Sequence, residues 1–189
     1  HTCVAWSNTP FNEIWFFYPR SSTSATEPDA YVKINVESGS WDYVPIGRTC
    51  GIDQSLLGMP ISATAEGIIY EHEVSPDADG QPIMASFTTG IYQMDEGMTI
   101  QFVDWFLPDF KYQTVTGTTP AALQITIYSQ YYLSDTPTVS GPFNVTSTTP
   151  YFNPRTRGRF LWYTVSSADL GSWWRWGGPR VRHAQDGRN

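Results

Sequence analysis

The sequence predicts an all-β protein: a partial β-propeller of about one blade, followed by a β-sandwich-like region. Three observations carry that expectation. Apolar residues recur at every second position over short runs, as in Val32, Ile34 and Val36 against Lys33 and Asn35. Clusters of Gly, Pro, Ser, Thr, Asn and Asp punctuate those runs. No stretch carries the period of an amphipathic helix, and Ser167-Ala168-Asp169-Leu170 is at most a single turn. Helix content should therefore fall below about 10%, against roughly a third in an average globular protein.

The elements follow in order. Asn12 to Tyr18 is a continuous aromatic-rich run ended by Pro19, which suits a central strand buried on both faces. A polar loop leads to the Tyr31–Val36 strand. Ser38-Gly39-Ser40 makes a tight turn into a strand from Trp41 to Val44, and Ile68 to Val74 supplies a further strand. Four short antiparallel strands are the unit of a propeller blade, and one blade cannot close a propeller. The first region is placed at 1–80. The second, at 81–189, has strands at Pro82–Thr89, Ile100–Leu107, Leu123–Leu133, Phe160–Ser166 and around Val181, with turn signals between them.

Composition narrows the function classes. The 189 residues are 15% aromatic, so ample apolar surface is available for a core. Charged residues are only 15%, below the usual quarter or so, which suits a surface partly covered by other subunits. The longest apolar run, Ile14 to Tyr18, is far short of the roughly 20 residues a helix needs to cross a bilayer, so no membrane insertion is expected. The chain opens inside a strand, as a segment of something longer or a processed product would. Cys3 and Cys50 suit no zinc spacing. They fit two buried free thiols, or a disulfide.

Net charge is −7 but unevenly placed. Residues 1–154 carry Lys33, Lys111, Arg20 and Arg48 against sixteen acids, a net of −12. Residues 155–189 carry seven arginines against Asp169 and Asp186, a net of +5. Arg155, Arg157 and Arg159 alternate with Thr156 and Gly158, a spacing that in a strand projects them from one face about 7 Å apart. Arg180 and Arg182 repeat the spacing, and Trp173, Trp174 and Trp176 lie between. Arginine with tryptophan is the chemistry of interface anchors and of nucleic-acid grooves. An acidic chain is a poor dedicated DNA binder, because phosphate attraction dominates that affinity. These eight residues are therefore candidate subunit-interface residues, with a solvated face or a DNA contact as the other readings.

Other constellations offer less. In Glu71-His72-Glu73 a strand would point the acids one way and the histidine the other, which converges no ligand set. Asp77-Ala78-Asp79-Gly80 begins like a calcium loop but lacks its later ligands, and reads as a hairpin turn. Asn144-Val145-Thr146 fits a glycosylation sequon, a tripeptide common by chance. There is no nucleophile elbow and no phosphate-binding glycine loop. No catalytic residue, cofactor or metal is assigned, and no enzymatic activity is expected.

A series of fragments resembles the late part of nozzle or tail-tube proteins of short-tailed bacteriophages. It runs through Asn12 to Pro19, Tyr31-Val32, the Trp41 strand, Arg48-Thr49 and Ile69 to Glu73. It continues through Pro108-Asp109-Phe110, Gly141-Pro142-Phe143, Thr156 to Arg159, Trp174 to Gly177 and Gln185 to Arg188. The likeness spans nearly the whole chain in one order. It implies a structural virion protein in a ring of six below the portal and adaptor, built from a β-propeller and β-rich platform elements around a DNA channel. The implied partners are other copies of the chain, adaptor and tail proteins, and a further N-terminal part of the nozzle polypeptide. DNA would pass through without sequence recognition, and the family has no enzymatic activity or cofactor. Its members run to several hundred residues, so this chain would hold only part of one. The alternative from composition is a carbohydrate-binding or adhesin-type β module, since Trp and Tyr platforms also stack on sugars. A glycosidase or lyase on a β scaffold stands third.

Overall fold

The computed structural model describes residues 2–54, 58–114 and 122–187. Arg188, in the last of the nozzle-like fragments, lies outside them. The protein is all-β, 53% strand and 6% helical, the latter in short 3-10 turns. It divides into two compact units, His1–Ser75 and Pro76–Asn189.

The first unit holds β1 (Val4–Asn8), β2 (Glu13–Tyr18), β3 (Ala30–Asn35) and β4 (Trp41–Val44), followed by β5 (Cys50–Ile52), β6 (Ile61–Ala63) and β7 (Ile69–Glu71). β1 to β4 form one antiparallel sheet in sequence order, and β5 to β7 form a second, three-stranded one. The blade-like meander thus takes Val4–Asn8 as its fourth strand. The Ile69–Glu71 segment, expected in the same blade, pairs with β6 instead. The reason is local: a tight turn closed by the Gly67 N–H on the Thr64 carbonyl, with Gly67 at positive φ, joins the two short strands as a hairpin.

Register fixes the faces of the first sheet. Val4, Phe17, Tyr31 and Val44 lie opposite one another across the strands, as do Trp6, Trp15, Lys33 and Asp42. This face is covered. Trp15, Phe17 and Tyr31 are buried, with Val4, Trp6, Val44 and Ile46 packed around them. Trp6 stacks on Phe17 at 4.3 Å and Trp15 on Tyr31 at 5.2 Å. The second sheet closes this core. A Cβ on Gly51 would stand 2.4 Å from Trp6, so only glycine lets β5 come this close. The polar end of the same face is paired: Lys33 Nζ lies 2.9 Å from Glu13 Oε1, and the Trp15 indole donates to Glu13 at 2.8 Å.

The opposite face is open. It carries Ala5, Phe16, Val32 and Tyr43 in one row and Ser7, Ile14, Ile34 and Trp41 in the next. Phe16 is 39% and Trp41 65% exposed. The aromatic run is therefore a central strand buried on one face only. Likewise the apolar side of β3, Val32 and Ile34, points outward, while Tyr31 and Lys33 point in.

The second unit comprises β8 (Asp77–Ala78), β9 (Gln81–Pro82), β10 (Ala85–Thr88), β11 (Tyr92–Gln93), β12 (Ile100–Leu107) and β13 (Phe110–Thr114). It continues with β14 (Leu123–Gln130), β15 (Thr138–Val145), β16 (Thr156–Gly158), β17 (Phe160–Ser167), β18 (Ser172–Trp176) and β19 (Arg180–Gly187). β8 and β9 form a hairpin through Asp79 and Gly80, both at positive φ, the geometry Asp-Gly turns supply. A boundary after residue 80 would cut this hairpin; the division after Ser75 keeps it whole.

The larger sheet runs β10-β17-β14-β15, with β11 also on β17. Its inner face supplies Leu123, Ile125, Ile127, Leu161, Tyr163 and Val165, all buried as strand alternation predicts. Against them pack Val103 and Phe106 of β12, Val181 of β19, and Phe110, Trp174 and Trp176 of the β13–β18 ribbon. The result is sandwich-like. One departure from simple alternation is informative. Val103 and Phe106 both point inward although three positions apart, because the β12–β19 register shifts between Val103 and Trp105. A bulge there inverts the side on which later residues fall.

Candidate functional site

The sequence assigns the C-terminal arginines and tryptophans to one interface. The fold distributes them over several environments. Along β18 the side chains alternate, so Trp174 and Trp176 face the core and Trp173 and Arg175 face out. The Trp174 indole donates to Ser167 Oγ at 2.7 Å, and that of Trp176 to the Tyr163 hydroxyl at 3.2 Å. Both rings also meet Phe87 at 5.9 Å. They are core residues, each with its one polar atom satisfied.

The arginines differ equally. Arg157, on β16, lies over the Phe102 ring at 5.1 Å and ion-pairs with Asp186 of β19 across the intervening β12. Arg182 makes a two-pronged contact with Asp104, Nε to Oδ1 at 2.9 Å and Nη2 to Oδ2 at 2.6 Å. That pairing holds the Asp104 carboxyl below, and the Arg182 guanidinium above, their ordinary ranges. Arg159 donates to the Gly97 carbonyl and stands near the Tyr132 and Phe160 rings. Arg155 sits at φ +50° outside the strand, so the three alternating arginines do not share one strand face. Among the described residues Arg155 and Arg180 form no ion pair, and both are exposed.

One outward cationic group was missed in the sequence reading. Arg175 lies directly across from Lys111 in the β13–β18 ribbon, and both are exposed. Arg175 also stands 5.7 Å from the Trp173 ring. The signal was present as alternation within Ser172–Trp176, which separates Trp173 and Arg175 from their neighbours.

The histidine of Glu71-His72-Glu73 belongs to a partly buried polar knot in the first unit. It follows β7 and its ring meets Trp15 edge-on at 5.2 Å. Its Nε2 is in hydrogen-bond contact with the Ser62 hydroxyl and accepts from Arg48 Nε at 3.4 Å. Arg48 in turn lies over the Tyr70 ring at 4.4 Å. Burial first, and the Arg48 charge second, lower the His72 pKa to about 4. The ring is thus neutral at pH 7 and serves as an acceptor. Ser62 is 2% exposed, so the Ser–His contact is a packing device, out of reach of a substrate. Among the described residues no group of three or more His, Cys, Asp or Glu side chains is arranged to hold a metal ion.

Both cysteines, expected as buried thiols or a disulfide, are free and exposed. Cys50 lies on the outer side of β5 with Ile52, opposite in sense to Gly51, which faces Trp6. Ile69, across β6 from Cys50, is 71% exposed. The two sheets of the first unit therefore bury one face each against the other and leave apolar side chains on both outer faces. Among the described residues no helix is long and apolar enough to cross a membrane. No protein-family model and no curated protein matches the chain.

Proposed function

We propose that this chain is a structural β module of a larger assembly, and that the assembly is the tail nozzle of a short-tailed bacteriophage. The observation that carries the reading is the first unit's pair of outer faces. One presents Phe16, Val32, Tyr43 and Trp41, the other Ile52 and Ile69 beside Cys50. A slab with apolar side chains on both outer faces is what a stacked β array needs, since each sheet is completed by its neighbours. A meander in sequence order, packed face to face with a further sheet, is also the way successive propeller blades meet. The ordered series of nozzle-like fragments supplies the specific identity.

In this reading the chain stands in the virion tail as part of a ring of six, below the portal and adaptor. Further sheets of the nozzle polypeptide cover the first unit. The exposed cations Arg155, Arg180, Lys111 and Arg175 face carboxylates of neighbouring subunits, where charge complementarity sets orientation. DNA passes along acidic walls that repel phosphate and do not grip it. The test is assembly. Light scattering and negative-stain imaging of the chain, alone and within a longer polypeptide, should reveal rings, and antibody to the chain should label phage tails. A chain that stays monomeric in both contexts and is absent from tails would overturn the proposal.

A further inference from the structure

The outer face of the large sheet in the second unit is unlike the rest of the molecule. Register places Ser86, Ser166, Gln124 and Asn144 in one row across β10, β17, β14 and β15. Thr88, Thr164 and Thr126 form the next row, and Trp162, Tyr128 and Val139 a third. Trp162 and Tyr128, both half-buried, stack on each other, centroids 5.5 Å apart and planes within 8°, which leaves one face of each ring free. The Thr88 and Thr164 hydroxyls are 2.8 Å apart. Ser86, Thr88, Gln124 and Asn144 are exposed, as is Val139 at 57%. Gly90, in the link between β10 and β11, has open space where a side chain would stand.

No carboxylate or basic group lies in these three rows, although the chain as a whole carries a net charge of −7. That selects among partners. A polyanion such as DNA finds no counter-charge here. An apolar partner would strip water from a lattice of hydroxyls and amides and leave them unpaired, at a cost per group. A neutral polyhydroxylated chain meets both features: its hydroxyls exchange hydrogen bonds with the Ser, Thr, Gln and Asn rows, and its C–H faces lie against the aromatic pair. We infer that this face is a binding platform for a neutral polysaccharide, with the Trp162–Tyr128 pair as its apolar anchor. The inference is independent of the assembly reading, since either can fail alone.

Native electrophoresis of the full chain through gels containing dextran, mannan or xyloglucan tests it, with heparin gels as the polyanion control. Retardation in at least one neutral gel is expected, and none in heparin. Trp162→Ala should weaken retardation roughly five- to ten-fold, the scale of one aromatic contact. Gln124→Lys with Asn144→Lys, two exposed substitutions that leave the core untouched, should weaken it as well. Trp41→Ala, on the exposed face of the other unit, should leave it unchanged. No retardation in any neutral gel would overturn the inference. So would retardation that survives both the Trp162→Ala and the paired lysine substitutions, or retardation stronger in heparin.

Discussion

The main sheets of the two units turn different kinds of face to solvent. The second unit buries the aliphatic residues on the inner face of its large sheet between two layers, and turns outward a face of mostly Ser, Thr, Gln and Asn beside Trp162, Tyr128 and Val139. The first builds a small aromatic core around Trp15, Phe17 and Tyr31, puts an ion pair on its covered face, and leaves isoleucine, valine and aromatic side chains outside. Apolar content alone thus says little about which surface is inside. What matters is whether the apolar side of a strand has a second layer to meet. In the second unit that layer comes from the same unit. In the first, one face of each sheet meets the other sheet and the outer faces are exposed.

Four substitutions or titrations sharpen or break this contrast. The largest effect should come from Phe106→Ala. The ring is fully buried, stacked on Phe152 at 5.0 Å and edge-on to Tyr163, so its removal should cost about 3–5 kcal/mol in urea unfolding. A loss near zero would show that the second unit's core is loosely packed. Next, Gly51→Ala should cost about 1–3 kcal/mol, because its Cβ would stand 2.4 Å from the Trp6 ring and force the two sheets of the first unit apart. An unchanged midpoint would mean that the aromatic core does not depend on that approach.

The third is a pH effect. His72 is held down to about 4, against an ordinary value near 6.5 in the unfolded chain, so the unfolded chain binds more protons between these values. The stability contributed by neutral His72 is complete above about pH 6.5 and is lost as pH falls toward 4. With solvent screening at a half-buried ring, the loss should be roughly 1–2 kcal/mol. Chemical denaturation from pH 7 to 4.5 should show it in the parent and not in His72→Gln. Equal slopes would remove His72 from the account. The smallest effect should follow Phe16→Ser with Trp41→Ser on the open face. Folding stability should change by only about 0.5 kcal/mol per site, while self-association and binding of a hydrophobic dye should fall. A large stability loss would mean that this face is already covered.

Much of the fold was legible because strand alternation and turn chemistry are local. A strand beginning at Leu123, a tight turn at Asp79-Gly80 and, from the absence of helical periodicity, an all-β chain all follow from local pattern. The candidate site was less legible. Eight residues were grouped by type and spacing. Arg157 and Arg182 found carboxylates within the chain, and Trp174 and Trp176 entered the core. Their partners Asp186, Asp104, Ser167 and Tyr163 are brought to them by the fold, and no local pattern points to them.

By itself, then, the sequence determined strand class, turn positions and the sign change of charge near residue 155, since each depends on neighbouring residues along the chain. Tertiary structure alone decided which side of each strand is inside. Alternation defines two faces without naming the buried one, and only a second layer makes that choice. It gave Tyr31 and Lys33 the covered side of β3 and left Val32 and Ile34 outside. It also decided, through one bulge in β12, that Val103 and Phe106 share a core. Register is set by the partner strand, which lies many residues away.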